Sequence, residues 1–328
     1  MLISWNTTAR CNLFCRHCYR DSGPGRETSG ELSTAEGKEL IGEIRKAGFR
    51  ILILSGGEPL LREDIVELAA AAKEAGLVPA MGTNGTLLTS GLARELAAAG
   101  LHGVAVSVDS LDREYHDSFR GFPGAFHLAQ EGIRNALEAG LRVQVNLTLT
   151  EKNVDEFDRM ISHYGEMGVH SLHPFFLVPT GRALSMEEEQ LKSDAYFNMI
   201  RKILGRQCST SLELKPTCAP QFMVLAREMG IPQRFSRGCL AGVSYCCILP
   251  GGEVHVCPYL PVEAGNARKV PFSRIWAESG VFLKLRDFSS YEGRCGRCED
   301  AALCGGCRAR AFHYSGNWLS EDPWCFRR

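Results

Sequence analysis

Fourteen cysteines stand among the 328 residues, and they are not scattered. Three lie on one short run, Cys11-Asn12-Leu13-Phe14-Cys15-Arg16-His17-Cys18-Tyr19, and nine fall between Cys239 and Cys325, with Cys208 and Cys218 apart from both groups. In a chain with no secretory leader, clustered thiols read as metal ligands rather than disulfides. Three thiolates on one loop can hold three irons of a [4Fe–4S] cube, leaving the fourth iron open to a small molecule. A zinc ion is the other reading, with His17 available as a fourth ligand. Among the C-terminal cysteines, Cys295-Gly296-Arg297-Cys298 and Cys304-Gly305-Gly306-Cys307 are only five residues apart. That gap is too short for a single zinc ribbon.

The elements around these cysteines alternate. Apolar, β-branched runs predict strands over 2–7, 50–54, 78–82, 103–108, 141–149 and 171–178. Helical periodicity predicts helices over 35–47 (capped by Thr34), 63–75, 90–99, 124–139 and 154–167, several closed by a glycine. Strands alternating with helices imply a parallel sheet with right-handed crossovers, and six units suit an open partial barrel. The loops at the C-terminal strand ends then carry the chemistry, and the first cysteine run follows the first strand directly. A connecting helix is expected over 185–205. Beyond about 236, glycine, proline and cysteine dominate, and metal sites are the natural staple for so loop-rich a segment. The division reads as 1–184 barrel, 185–235 connecting segment and 236–328 cysteine-rich domain.

A formal net charge of −1 gives no reason to expect bulk nucleic-acid or membrane-surface binding. The N-terminus has neither a charged leader nor a long apolar run, so a cytoplasmic location is expected.

The CxxxCxxC spacing followed by an aromatic resembles the radical S-adenosylmethionine (SAM) superfamily. Further matches follow in strand order. Gly56-Gly57-Glu58-Pro59 after the second strand resembles the motif that receives the methionine amino group. Thr83-Asn84-Gly85 ends the third strand and Ser107-Val108-Asp109-Ser110 the fourth. The resemblance implies that Ser107 and Asp109 lie near the ribose and carboxylate of SAM and that Arg120 pairs with the methionine carboxylate. It places Asn146 and the 174–179 stretch at the ribose and adenine, and assigns Tyr19 to the adenine. The implied chemistry is cleavage of SAM to a 5′-deoxyadenosyl radical that abstracts hydrogen from an unactivated carbon. The electron donor would be a ferredoxin or flavodoxin.

The C-terminal cysteines resemble the SPASM extension of these enzymes. Cys239, Gly252 and Cys257 match its first part and Cys295, Cys298 and Cys304 its second, with Cys307 one residue early. The resemblance implies two auxiliary iron–sulfur clusters, one on Cys295, Cys298, Cys304 and Cys325 and one on Cys239, Cys246, Cys257 and Cys307. Cys247 competes with its neighbour Cys246. Cys208 and Cys218 read as spare buried thiols; Cys218, between Pro216-Thr217 and Ala219-Pro220, is the one that could prove a ligand.

Over nearly the whole chain, segments such as Cys218-Ala219-Pro220-Gln221-Phe222, Gly265-Asn266, Ile275-Trp276 and Glu321-Asp322-Pro323-Trp324-Cys325 resemble the tetrapyrrole-modifying SPASM enzymes. These span heme b synthases, didecarboxysiroheme deacetylases and d1-type heme enzymes, and Tyr19-Arg20-Asp21 suits the latter two branches at least as well as the first. The implied reaction removes or decarboxylates carboxylate-bearing side chains of an iron tetrapyrrole. Arg182 and Arg237 are the arginines expected to meet such a carboxylate. Two other classes compete with this one. A ribosomal-peptide maturase often carries an extra N-terminal peptide-binding domain, whereas the first strand begins at residue 2. A non-enzymatic electron carrier would have no use for a three-cysteine loop with SAM motifs.

Overall fold

Parallel neighbours need a crossover between them, and the first half of the chain supplies one after each strand. The computed structural model describes residues 1–327. Strands β1 (Leu2–Asn6), β2 (Ile51–Ser55), β3 (Val78–Thr83), β4 (Gly103–Ser107), β5 (Arg142–Leu149) and β6 (Ser171–Phe176) pair in parallel, each with the next. Between and after them run α1 (Thr34–Lys46), α2 (Ile65–Glu74), α3 (Ser90–Ala98), α4 (Arg113–Arg120), α5 (Ala125–Glu138) and α6 (Phe157–Glu166). This is the six-unit partial barrel.

Two local details differ from expectation. The cap of α1 is Ser33, not Thr34: its hydroxyl accepts from Glu36 N at 3.3 Å while Glu36 accepts from Ser33 N at 2.8 Å, a reciprocal capping box. Helix α4 has no counterpart in the sequence reading. It is short and polar, and it is started by Asp112, which accepts from Glu114 N and Tyr115 N.

The strands alternate in what they present. One face carries Ile3, Trp5, Leu52, Leu54, Met81, Val106 and Val145, all sealed under the helices. Each such side chain contributes about 1.5–3 kcal/mol of burial. The inward face carries Ser4, Asn6, Ser55, Ser107, Asn146 and His173, which sit in register across the sheet. The core therefore lies between sheet and helices, and the barrel interior is left polar.

After β6 the expected helix over 185–205 is broken. A 3-10 segment, Gly181–Glu189, ends at Gln190, whose backbone is extended (ψ 141°) and whose amide donates to Glu187 O at 2.9 Å. The helix proper, α7 (Ser193–Gln207), follows, then β7 (Glu213–Leu214) and α8 (Phe222–Glu228). The cysteine-rich region is more regular than its composition implies. It holds β8 (Tyr245–Ile248), β9 (Glu253–Cys257) and β10 (Leu260–Asn266). Strand β8 lies parallel beside β1, from Leu2↔Tyr245 to Trp5↔Ile248, and β9 and β10 continue antiparallel. The result is one ten-stranded sheet in the order β10-β9-β8-β1-β2-β3-β4-β5-β6-β7. Among the described residues no helix is long and apolar enough to cross a membrane.

Candidate active site

The first cysteine run leaves β1 and is held by three neighbouring strand ends. Arg16 N donates to Phe119 O of α4 at 3.0 Å. From the β3 loop, the Asn84 amide donates to Asn12 Oδ1 at 2.9 Å. From the β6 loop, Arg182 donates through its backbone to Cys18 O at 3.0 Å and through its guanidinium to Cys15 O and Ser22 O, at 2.7 and 2.8 Å. Its remaining nitrogen meets Asp21 at 2.7 Å, and the fork lies over the Phe14 ring at 4.0 Å. Next to it, a Cβ on Gly181 (φ 61°) would sit 2.6 Å from Cys18 O. Glycine lets the two backbones meet.

Arg182 is thus a brace for the cysteine loop and has no nitrogen left for a substrate carboxylate, contrary to expectation. Arg237 likewise spends two of its nitrogens on backbone, donating to Cys239 O at 2.7 Å and to Ala302 O at 2.5 Å, so it braces the cysteine-rich region. Arg182→Ala is expected to cost about 2–4 kcal/mol, the loss of several hydrogen bonds from one charged group. Arg182→Lys recovers only part, because an ammonium cannot span the fork. Thermal unfolding and the iron retained after anaerobic reconstitution read this out; unchanged values for Arg182→Ala would remove the bracing role.

Cys11, Cys15 and Cys18 come together at the mouth of the barrel, Cys11 and Cys15 being buried. Burial pushes the Cys11 thiol up to about 12 and also raises Cys15, against the pull of Arg120. Such thiols become thiolates only beside a compensating cation. The Leu13 N–H already points at Cys11 Sγ, at 3.4 Å, as amides do around cluster sulfurs. The loop therefore fits a bound iron cluster.

Around the loop, the motif residues divide into those that face the interior and those that hold the frame. Gly57 packs on the β1 loop, where a Cβ would run into Arg10 O, and Gly57 N and Glu58 N donate to Thr8 O and Arg10 O, both at 2.8 Å. Gly56 meets the same loop at Thr8. The Glu58 carboxylate accepts from Thr83 Oγ1 at 2.7 Å and Asn84 N at 2.8 Å, tying β2 to β3. Burial pushes it up to about 7, the state of a carboxylate short of a cation. Arg120 donates to Asp109 at 2.6 Å and points a second nitrogen toward Cys15 Sγ, 3.9 Å away. Asp109 is fully buried, and its other oxygen accepts from Thr148 N at 2.9 Å. Its contacts make it a brace for Arg120. Burial alone would raise Asp109, but Arg120, His17, His116 and the Thr148 N–H together hold the carboxyl below its ordinary value. Ser107 and Asn146 lie in register on the inward face, and the Tyr19 ring stands 5.1 Å from that of Tyr259.

The remaining thiols form two groups, and the membership differs from expectation at one position. Cys218, Cys239, Cys257 and Cys307 all stand near enough to repel one another's thiolates. Cys246 is not among them. On β8 it pairs with Ile3 and faces the apolar core beside Arg286, while Cys247 takes the inward face. Alternation along the strand puts the two adjacent cysteines on opposite faces, and Cys247, on the inward one, is close enough to raise the Cys257 thiol.

Cys218 is the thiol that stands with Cys239, Cys257 and Cys307 in its stead. Its backbone is left-handed (φ 61°), uncommon for a residue with a side chain and kept only where the surroundings impose it. A buried ion pair imposes it. Arg310 donates to Cys218 O at 2.8 Å and pairs with Asp322 at 3.2 Å, and Asp322 accepts from Cys307 N at 2.7 Å. One pair thus fixes two thiol residues. Cys295, Cys304 and Cys325 form the other group, with Cys298 one turn beyond Cys295. Arg308 and Asp322 N approach Cys295 Sγ at 3.4 and 3.5 Å, and Gly306 N approaches Cys304 Sγ at 3.5 Å. Cys208 is exposed at the end of α7.

The chain has known relatives. The radical SAM superfamily matches residues 5–164, and SPASM, an iron–sulfur cluster-binding domain, matches residues 239–300. Over its whole length the chain is 40% identical to the AdoMet-dependent heme synthase of Methanosarcina barkeri, covering 96% of that protein. It is 32% identical, over 99% of its length and 87% of the relative's, to the Fe-coproporphyrin III synthase of the same organism. The crystal structure of SuiB from Streptococcus suis bound to S-adenosylmethionine shares the fold, with TM-score 0.77 at 17% identity over 99% of this chain and 77% of that one. The chain belongs to the radical SAM superfamily and carries a SPASM domain. It is an enzyme that works with SAM, a [4Fe–4S] cluster and auxiliary iron–sulfur clusters.

Proposed function

We propose that this enzyme is an AdoMet-dependent heme synthase that converts propionate side chains of Fe-coproporphyrin III to vinyl groups. The observation that carries the reading is the 40% identity to a heme synthase across both chains, from the cysteine loop to the last thiol. Coproporphyrin bears four propionates where heme keeps two and has two vinyls, so two side chains must each lose carbon dioxide, one hydrogen atom and one electron. The hydrogen leaves from the carbon β to the carboxylate.

Cys11, Cys15 and Cys18 would hold the first cluster and leave one iron for SAM. When bound, that pair supplies a 5′-deoxyadenosyl radical, which takes the hydrogen and leaves as 5′-deoxyadenosine. Thr83, Asn84 and Glu58 fix the loop and offer a carboxylate for the methionine amino group, and Arg120 offers a cation for its carboxylate. Tyr19, Ser107 and Asn146 line the place of the nucleoside. Cys218, Cys239, Cys257 and Cys307 would hold an auxiliary cluster on the inner side of the sheet, which would supply a one-electron acceptor. Cys295, Cys298, Cys304 and Cys325 would hold another toward the surface. A ferredoxin or flavodoxin would deliver the electron that each SAM consumes.

Anaerobic incubation with SAM, a reductant and a panel of iron tetrapyrroles, read by mass, tests this. The expected product loses carbon dioxide and two hydrogens per side chain, with one 5′-deoxyadenosine for each. Loss of whole acetate groups would assign the deacetylase chemistry instead. An unchanged panel would overturn the tetrapyrrole reading and leave the peptide maturases.

A further inference from the structure

Each arginine of the site described so far has at least one oxygen partner, even where a second nitrogen faces a thiol, as in Arg120 and Arg308. Arg120, Arg182, Arg237 and Arg310 donate to carboxylates or carbonyls, and Arg308 donates to Ser320 O at 2.7 Å. Arg20 is different. It leaves the cysteine loop two residues after Cys18 and turns toward β8. Its hydrogen bond is to a thiol, Cys247 Sγ, at 3.2 Å, and its Nε is buried with no partner. Among the described residues no carboxylate pairs with it. A neutral thiol is a weak acceptor, so a half-buried guanidinium there leaves most of its hydrogen-bonding capacity unused.

The wall around Arg20 is built the same way. Cys247 pairs in register with Ser4 on one side and with His255 on the other, so all three side chains share the inward face. His255 Nδ1 is buried without a partner. Asn6, two residues on from Ser4 and on the same face, leaves both amide atoms unpartnered. Unpartnered polar atoms gathered on one wall cost free energy until partners arrive, and the Arg20 Nε among them is a donor in every state. The edge formed by Nε and one terminal nitrogen of Arg20 matches two oxygens on one carbon, the shape of a carboxylate. The wall also stands between the two halves of the chemistry: Arg20 follows the first cysteine loop, and Cys257 of the inner thiol group lies on the same face as His255.

We propose that Arg20, with His255 beside it, anchors a propionate of the tetrapyrrole between the cysteine loop and β8–β9. The anchor rests on the tetrapyrrole reading of the site and goes beyond it by naming the residues that grip the substrate. Cys247 occupies the acceptor's place in the substrate-free protein and gives it up on binding.

The test is an optical titration of the reconstituted enzyme with Fe-coproporphyrin III and with its tetramethyl ester, which keeps the macrocycle but offers no carboxylate. The wild-type enzyme is expected to bind the acid about tenfold to a hundredfold more tightly than the ester, the scale of charge-assisted hydrogen bonds. Arg20→Gln is expected to bind both alike. An acid preference that survives in Arg20→Gln overturns the anchor while leaving the tetrapyrrole reading standing. Failure of the wild-type enzyme to bind either compound overturns both. Should Arg20→Gln lose iron on reconstitution, Arg20→Lys carries the test. It keeps the charge without the fork and is expected to retain only a few-fold preference; an undiminished one rejects the anchor.

Discussion

Alanine in place of Cys11, Cys15 and Cys18 together is expected to reduce 5′-deoxyadenosine formation to background and to lower reconstituted iron from about twelve to about eight atoms per chain, one four-iron cube of three. The three thiols share one loop, and the thiolates that raise Cys11 beyond its burial are Cys15 and Cys18. The C-terminal groups are held by their own frame of Arg308, Arg310 and Asp322, so their iron is expected to stay. Folding is expected to survive, because the braces Arg182 and Asn84 bind the loop through Cys15 O and Asn12, which the substitutions leave in place. Product analysis and an iron assay on the same preparation decide the matter. Persistent SAM cleavage in the triple variant would sink the assignment, and full loss of iron would show that the clusters do not assemble independently.

The second large effect separates two cysteines that look alike in the sequence. Cys218→Ala is expected to remove about four irons and to stop tetrapyrrole turnover while 5′-deoxyadenosine still forms. Cys246→Ala is expected to keep all the iron and to cost about 1–2 kcal/mol, the price of a small cavity in a packed core. Because Cys218 is left-handed, alanine there also carries backbone strain. Cys218→Gly removes that strain and is expected to lose the same iron, which separates ligation from conformation. If Cys246→Ala is the variant that loses iron, the inner group has been drawn wrongly.

Much of the barrel was legible because its signals are periodic. Six apolar runs separated by amphipathic helices can fold in few other ways, and their bounds agree with the strands to within a residue or two. The cysteine loop was legible because its spacing is local. What escaped depends on long-range contacts. Helix α4 is polar apart from Tyr115 and Phe119, and Phe119 is buried by residues distant in sequence, His17 of the cysteine loop and Leu177, Ala183 and Met186 after β6. Strands β8 to β10 are short, interrupted by glycine and rich in cysteine, so neither length nor propensity marks them. Cys218 lies 21 positions before Cys239 and 89 before Cys307, and no spacing rule joins them; Arg310 and Asp322 do. A signal was present in one case: Tyr245-Cys246-Cys247-Ile248 read as a strand would have placed its adjacent cysteines on opposite faces. The bracing roles of Arg182 and Arg237 escaped because a sequence shows that an arginine exists but not which carbonyls surround it.

The place of β8 beside β1 also sets the timing of assembly during synthesis. Strand β1 gains one neighbour when β2 appears, but its other edge waits for Tyr245–Ile248. At ordinary elongation rates that is a delay of roughly ten to fifty seconds. Through that interval the amides and carbonyls along one side of Leu2–Asn6 are an open template for another chain. The nascent protein thus has a window of vulnerability to mispairing that closes only when its C-terminal third is made, and a ribosome stalled before residue 245 would hold the most aggregation-prone form of this enzyme.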